Sequence, residues 1–279
     1  MPCPQRHRHN LSPTLTRTGQ YPVPTTDKKR KKMNPFKKQN KQLSIFITAG
    51  YPTLESTTKQ ILTLQEQGID FIEVGIPFSD PMADGPVIQE TSSIALQNGM
   101  HLDLLFDQLF SIKENVTIPL VIMGYLNPVL QYGIEKFLSK CKELNIASVI
   151  LPDMSLELYE RFYQSNFVKY GISVSFLITP TTSDERIERI ANVSQNSFVY
   201  LVSQTSITGG TSFINTEMND RYKEIKQICG ETPVMLGFGI NSKEDVFKAQ
   251  QNCDGAIIGS AYLKALKNGK ESEFVENLV

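Results

Sequence analysis

From Leu43 onward the chain alternates between short apolar runs and longer stretches in which apolar residues recur every three or four positions. The short runs are Leu43 to Thr48, Phe71 to Ile76, Pro119 to Met123, Ala147 to Leu151, Ile172 to Ile178, Phe198 to Val202, Pro233 to Leu236 and Ala256 to Ile258. Their β-branched, continuously apolar character predicts strands buried on both faces, as in a parallel sheet. The intervening stretches predict amphipathic helices: Leu102, Leu105, Phe106, Leu109 and Ile112 share one face, as do Ile134, Phe137, Leu138, Cys141 and Leu144. Ser242, with Asp245 three residues on, predicts a capping box at one helix entry. Eight strand–helix repeats predict an α/β fold, a single (β/α)8 TIM barrel with extra short helices over residues 33–279. A doubly wound open sheet is the alternative. It would usually place a Gly-rich fingerprint after the first strand, where here only Ala49-Gly50 stands.

Residues 1–32 break this pattern. Prolines, the basic run Lys28 to Lys32 and a near absence of aliphatic residues predict a disordered tail, with Met33 the natural start of the domain. An upstream extension is the favoured reading. A nucleic-acid contact or an organellar address competes with it, although the prolines spoil the amphipathic helix a transit peptide needs. For the whole chain, 40% hydrophobic and 20% charged residues with a net charge of -1 describe an ordinary soluble, cytoplasmic protein and give no global reason for nucleic-acid binding. The 4 cysteines lack any C-x-x-C spacing, so neither a zinc site nor a disulfide framework is indicated. Of the 3 histidines only His101 lies outside the tail, which leaves proton transfer to carboxylates.

One strand carries an unexpected residue. Glu73 stands in the apolar run from Phe71, on the same side as Phe71 and Gly75, while Ile72, Val74 and Ile76 face the other way. Two roles are open to it: a buried acid neutralised by an Arg or Lys from a neighbouring strand, or an acid kept for chemistry. Past Pro77, a Pro-rich loop presents Ser79, Asp80 and Asp84. Turn bracing explains Ser and Asp in such loops in general, and explains Asp84 least well. In a barrel all strand C-termini open on one face, so Glu73, Asp84, Tyr125, Asn127, Asp153 and Tyr200 are expected around one mouth. Glycines gather after the last three strands, at Gly209-Gly210, at Gly237 with Gly239, and at Gly259 before Ser260. Close backbone approach there, with a helix starting at Gly259-Ser260, suits a phosphate. Phe46, Tyr125, Tyr200 and Phe238 could wall a slot for a flat aromatic group. Residue chemistry alone thus reaches a phosphorylated aromatic substrate handled by acid–base chemistry.

The run Glu73-Val-Gly-Ile-Pro-Phe-Ser-Asp-Pro-Met-Ala-Asp84-Gly-Pro resembles the signature of the tryptophan synthase alpha subunit family. The resemblance continues through Phe46 to Pro52, Gly124 to Pro128, Leu236 to Ile240 and Gly259-Ser260, and covers roughly residues 40 to 270. It implies retro-aldol cleavage of indole-3-glycerol phosphate to indole and glyceraldehyde 3-phosphate. By motif, Glu73 would be the general acid/base, and Asp84 would hold the indole N–H and stabilise charge on the ring nitrogen. Tyr200 would lie beside the reacting side chain, while Gly209, Gly239, Gly259 and Ser260 would take the phosphate. The resemblance also implies no cofactor and no metal in this chain. Its partner would be a pyridoxal phosphate-dependent beta subunit, in an alpha2-beta2 heterotetramer, that receives the indole by a tunnel. Docking is expected through the Asp80 to Pro86 loop and an Asn127-Pro128 turn, with Thr205 to Thr211 as a lid whose Thr208 meets Asp84.

Two features depart from the family pattern. Ser206 stands where a glycine is common, which bears on lid closure, and the chain ends at Val279, so a shortened C-terminal cover is expected. Three other readings compete: a stand-alone lyase releasing free indole, a catalytically silent activating subunit, and another phosphate-binding barrel such as a prenyltransferase.

Overall fold

The computed structural model describes residues 34–37, 39–203 and 216–279. The tail and the Thr205 to Thr211 segment, including Thr208 and Gly209, lie outside the described residues. From Asn34 to Val279 the chain forms one compact unit.

Its strands are β1 (Gln42–Thr48), β2 (Phe71–Gly75), β3 (Leu120–Met123), β4 (Ser148–Ile150), β5 (Ser173–Ser175), β6 (Leu177–Ile178), β7 (Val199–Val202), β8 (Val234–Gly237) and β9 (Gly255–Ile258). All pair in parallel, in the order β5-β4-β3-β2-β1-β9-β8-β7-β6. The end strands β5 and β6 are consecutive in the chain, parted only by Phe176. The predicted strand Ile172 to Ile178 is therefore split, and the chain itself closes the sheet into a TIM barrel. Phe176 turns its ring onto Tyr159, 5.4 Å away, while its carbonyl accepts from the Tyr200 amide at 3.0 Å and keeps the ladder joined. The split has the character of a bulge, which lets a strand bend where a barrel must curve.

The helices follow the predicted apolar faces. Helix α1 (Ser56–Glu66) buries Ile61 and Leu64, and α3 (Leu102–Ile112) buries all five residues of the predicted stripe. Between them runs α2 (Pro86–Gln97), which starts with proline at its first turn, where a missing N–H costs nothing. The sequence reading takes Asn127-Pro128 for a turn; instead both lie in the first turn of α4 (Leu126–Tyr132), for the same reason. Helix α5 (Ile134–Glu143) follows at once. A broken helical stretch that the periodicity did not reveal spans Leu156–Leu158, a π-helical turn at Tyr159–Tyr163 and Gln164–Tyr170. Of the capping box, Ser242 accepts from the Asp245 amide, but Asp245 reaches back to Asn241 rather than to Ser242.

The interior face can be read from one contact. Strands β2 and β7 are separated by β1, β9 and β8, yet the Phe71 and Phe198 rings lie 5.5 Å apart. That contact crosses the barrel, so Phe71 points inward. By alternation Glu73 and Gly75 point inward too, as does Tyr200 two residues after Phe198. Phe36 packs edge-on against both rings, at 5.1 and 5.0 Å, and closes the end from which the strands start. Nearby, Ser148, Ser175 and Ser197 form a buried ring of hydroxyls with separations of 3.2, 2.6 and 2.5 Å, each satisfying the next. Among the described residues no helix is long and apolar enough to cross a membrane.

Phe36 sits in the segment before β1, remote from the open mouth. Phe36→Ala is expected to cost about 3–5 kcal/mol through the cavity it leaves. Urea denaturation would read this loss, and the recess at the other end should keep its ligand affinity.

Candidate active site

Glu73 is held on β2 between Phe46 of β1 and Val121 of β3, its partners in register. Its exposure is 0%, and among the described residues neither carboxylate oxygen has a hydrogen-bond partner. No Arg or Lys neutralises it among those residues. Of the two roles open to this acid, the ion-paired one is therefore not the one seen. Burial alone raises its pKa from 4.5 to about 8, so the carboxyl is largely protonated at neutral pH. A side chain this costly to bury is the kind retained at functional sites.

Asp84 approaches from the loop between β2 and α2. Its Oδ2 accepts from the Tyr125 hydroxyl at 3.0 Å, and the same hydroxyl accepts from the Ala83 amide at 2.9 Å. Burial raises the Asp84 pKa, and the Tyr125 bond opposes that rise. Ser79 and Asp80 pair with each other, the Ser79 hydroxyl donating to the Asp80 carboxylate at 2.5 Å, and both are exposed. Asp153 and Asn127 do not face the mouth as expected. Asp153 turns to the start of α4, where both its oxygens accept from the Leu126 amide, and Asn127 is exposed in that helix's first turn.

Asp84 lines a recess with Phe46, Thr48, Phe78, Met123 and Tyr125. A Cβ on Gly75 would fall 2.3 Å from the Phe46 ring, so only glycine lets that ring lie against the wall. The ring thus sits one inward step nearer the mouth than Glu73. Tyr200 is buried within electrostatic reach of both Glu73 and Asp84; its pKa is raised well above 10.0, by burial first and then by those charges. Thr48 and Phe78 went unremarked in the sequence. Thr48 had a usable signal, since it follows Phe46 by two on the same strand face. Phe78 had none, because its place depends on how the loop folds back onto the Tyr125 ring, 5.2 Å away.

On the other side of the barrel mouth, the glycines divide by role. Gly237 makes room for Tyr200, whose hydroxyl would lie 2.2 Å from an added Cβ. Phe238 and Gly239 both adopt left-handed backbone, with φ of 67° and 70°. For phenylalanine this is strained, and such strain concentrates at functional sites. The turn is held by the Ser203 hydroxyl on the Phe238 carbonyl at 2.8 Å and by the Asn241 side chain on the Gly239 carbonyl at 2.6 Å. Phe238 meets Tyr200 edge-on at 6.0 Å. Gly259 backs onto Phe46, with an added Cβ 3.6 Å from the Phe46 Cβ, and Ser260 opens the helix Ser260–Lys267. Among the described residues no group of three or more His, Cys, Asp or Glu is placed to hold a metal ion.

A buried acid inside a parallel barrel, beneath an aromatic-walled recess at the strands' C-terminal ends, defines the class as a TIM-barrel enzyme. The family model described as tryptophan synthase alpha chain matches residues 33–278. The tryptophan synthase alpha chain of Flavobacterium psychrophilum is 49% identical over 238 residues, covering 85% of this chain and 94% of that protein. Among solved structures, the alpha subunit from Campylobacter jejuni superposes with a TM-score of 0.77 at 30% identity, over 87% of this chain and 97% of that one. The subunit from Legionella pneumophila does so with a TM-score of 0.76 at 32% identity, over 85% and 91%. The chain belongs to the tryptophan synthase alpha chain family, and its role is that of the alpha subunit in tryptophan biosynthesis.

Two outcomes test the geometry. Because the folded Glu73 pKa of about 8 lies above its ordinary 4.5, the fold holds an extra proton between those values, and stability falls as pH rises through that window. Glu73→Gln removes this dependence, so denaturation midpoints should show the variant gaining on the parent between pH 5 and pH 9, by several kcal/mol on the order expected for a buried acid. Gly237→Ala should displace the Tyr200 hydroxyl and cut ligand affinity or turnover at least about tenfold, with the fold kept, as circular dichroism would show.

Proposed function

We propose that the chain cleaves indole-3-glycerol phosphate by a retro-aldol reaction, as a carbon–carbon lyase. The observation that carries this is the fully buried Glu73, without a hydrogen-bond partner among the described residues, beneath a recess that holds a second acid, Asp84. Protonated Glu73 delivers its proton to indole C3, which leaves an indolenine whose ring nitrogen bears positive charge. Asp84 stabilises that charge and holds the N–H, while the Tyr125 hydroxyl fixes its orientation. The Glu73 carboxylate then takes the proton of the glycerol hydroxyl adjoining the ring. The bond between C3 and the glycerol carbon breaks, its electron pair returns to the ring as indole, and the carbon left behind becomes the aldehyde of glyceraldehyde 3-phosphate. Glu73 gives one proton to C3 and takes another from the glycerol hydroxyl, so it ends the cycle as it began and a pKa near neutrality suits both steps.

Phe46, Tyr125, Tyr200 and Phe238 would enclose the indole, Gly209, Gly239, Gly259 and Ser260 would hold the phosphate, and Thr208 would meet Asp84. Ser260 starts a helix, whose free amides and dipole favour an anion. The chain itself would need no cofactor. Its partner would be a beta subunit carrying pyridoxal phosphate, in an alpha2-beta2 assembly of the cytoplasm that receives the indole directly.

Indole release from indole-3-glycerol phosphate, followed with and without a beta subunit, tests this reading. Slow release by the chain alone, accelerated by the partner, is expected, with kcat/KM falling above about pH 8 as Glu73 loses its proton. Glu73→Gln should abolish cleavage while leaving the affinity for glycerol phosphate within about threefold. No release from the folded chain under either condition would refute the reaction, and a collapse of ligand affinity in the variant would make Glu73 structural.

A further inference from the structure

The loop that carries Asp84 is tied to the barrel at one point. Within the loop, the Met82 amide donates to the Asp80 carbonyl and the Asp84 amide to the Pro81 carbonyl. Gln89 of α2 reaches the Asp84 carbonyl. The Ile76 amide, where the loop leaves β2, donates to the Met123 carbonyl; past it, among the described residues, every hydrogen bond from residues 77–85 to anything beyond themselves and α2 runs to the Tyr125 hydroxyl. The direction of the Asp84 carboxylate is therefore set by where Tyr125 stands.

Tyr125 is the residue from which α4 springs. Its backbone is extended, with φ of -86° and ψ of 152°, and its side chain makes no capping bond to the helix it starts. The first amide of that helix, Leu126 N–H, is satisfied from outside, by Asp153 just past the end of β4. Both Asp153 oxygens accept it, at 2.9 and 3.1 Å. The base under this contact is rigid, because the Gly124 amide donates to the Ile150 carbonyl and the Met154 amide to the Leu151 carbonyl. Asp153 itself does not line the recess, although its neighbour Pro152 does.

We propose that Asp153 is a positioning residue for Asp84: by holding the Leu126 amide it fixes the Tyr125 backbone, and through the Tyr125 hydroxyl it aims the Asp84 carboxylate into the recess. The acid at the end of β4 then serves the reaction at one remove, and two contacts, Asp153 to Leu126 and Tyr125 to Asp84, link two loops of the mouth. This rests on the role given to Asp84 above.

A double-variant cycle on the full chain tests it, with Asp153→Ala, Tyr125→Phe and the two combined, each measured for kcat and KM with indole-3-glycerol phosphate. Asp153→Ala should lower kcat about tenfold with KM changed less than about threefold, and the double variant should be no slower than Tyr125→Phe alone. Asp153→Asn, which keeps an acceptor oxygen for Leu126, should regain most of the loss. A second readout needs no turnover: the Asp84 carboxyl, followed by carbon-13 NMR, should titrate higher in both single variants, since each weakens the Tyr125 donor, and no higher still in the double. Losses that multiply in the double variant overturn the proposal, as does an Asp153→Ala protein with parental kcat and an unmoved Asp84 titration. If the parent chain proves not to cleave this substrate, the titration series alone decides. If Asp153→Ala does not fold, Asp153→Asn enters the same cycle, and its smaller loss must vanish in the Tyr125→Phe background.

Discussion

The desolvation of one carboxyl group governs this molecule. Glu73 is fully buried inside the barrel, and among the described residues nothing donates to it. Such burial is unfavourable by several kcal/mol, and the surrounding fold must supply the difference. It does so with a closed parallel sheet, an aromatic plug of Phe36, Phe71 and Phe198 at one end, and a continuous core reaching into the helices. The barrel keeps water from the acid and keeps the acid neutral until something enters from the mouth.

The two acids of the mouth are set apart by their surroundings. Glu73 has burial alone acting on it, whereas Asp84 has burial opposed by a hydroxyl donor. Burial raises both carboxyl groups, and only Asp84 has a donor that favours its charged form. Around them the rings are placed by missing side chains: Gly75 admits Phe46, and Gly237 admits Tyr200. Phe238 holds a left-handed backbone that its own side chain disfavours, at the turn where Ser203 and Asn241 clamp the carbonyls. The strain and the clamps occupy the same few residues just past β8.

Much of the fold was legible in the chain because strands buried on both faces leave a distinctive signal. The boundaries of β1, β2 and β7 differ from the apolar runs by a residue or so, since nothing but burial shapes those segments. The break at Phe176 was illegible, because Ile172 to Ile178 is uniformly apolar and only the closure of the barrel decides which residue leaves the ladder. The helix at Leu126–Tyr132 was hidden for the opposite reason: Asn127-Pro128 is as good a helix start as a turn, and the choice falls to Asp153, 27 residues away, which completes the first amide.

The sequence by itself determined the barrel, the placing of Glu73 on an inward strand face, and the presence of Asp84 in a loop at the strand's end, because period-two alternation and chain order suffice for each. Tertiary structure alone decided that Glu73 has no partner among the described residues, that Asp153 holds the Leu126 amide, and that Gly237 answers to Tyr200. Those outcomes depend on distances between strands far apart in the chain, and no local pattern of residues encodes a distance across a closed sheet.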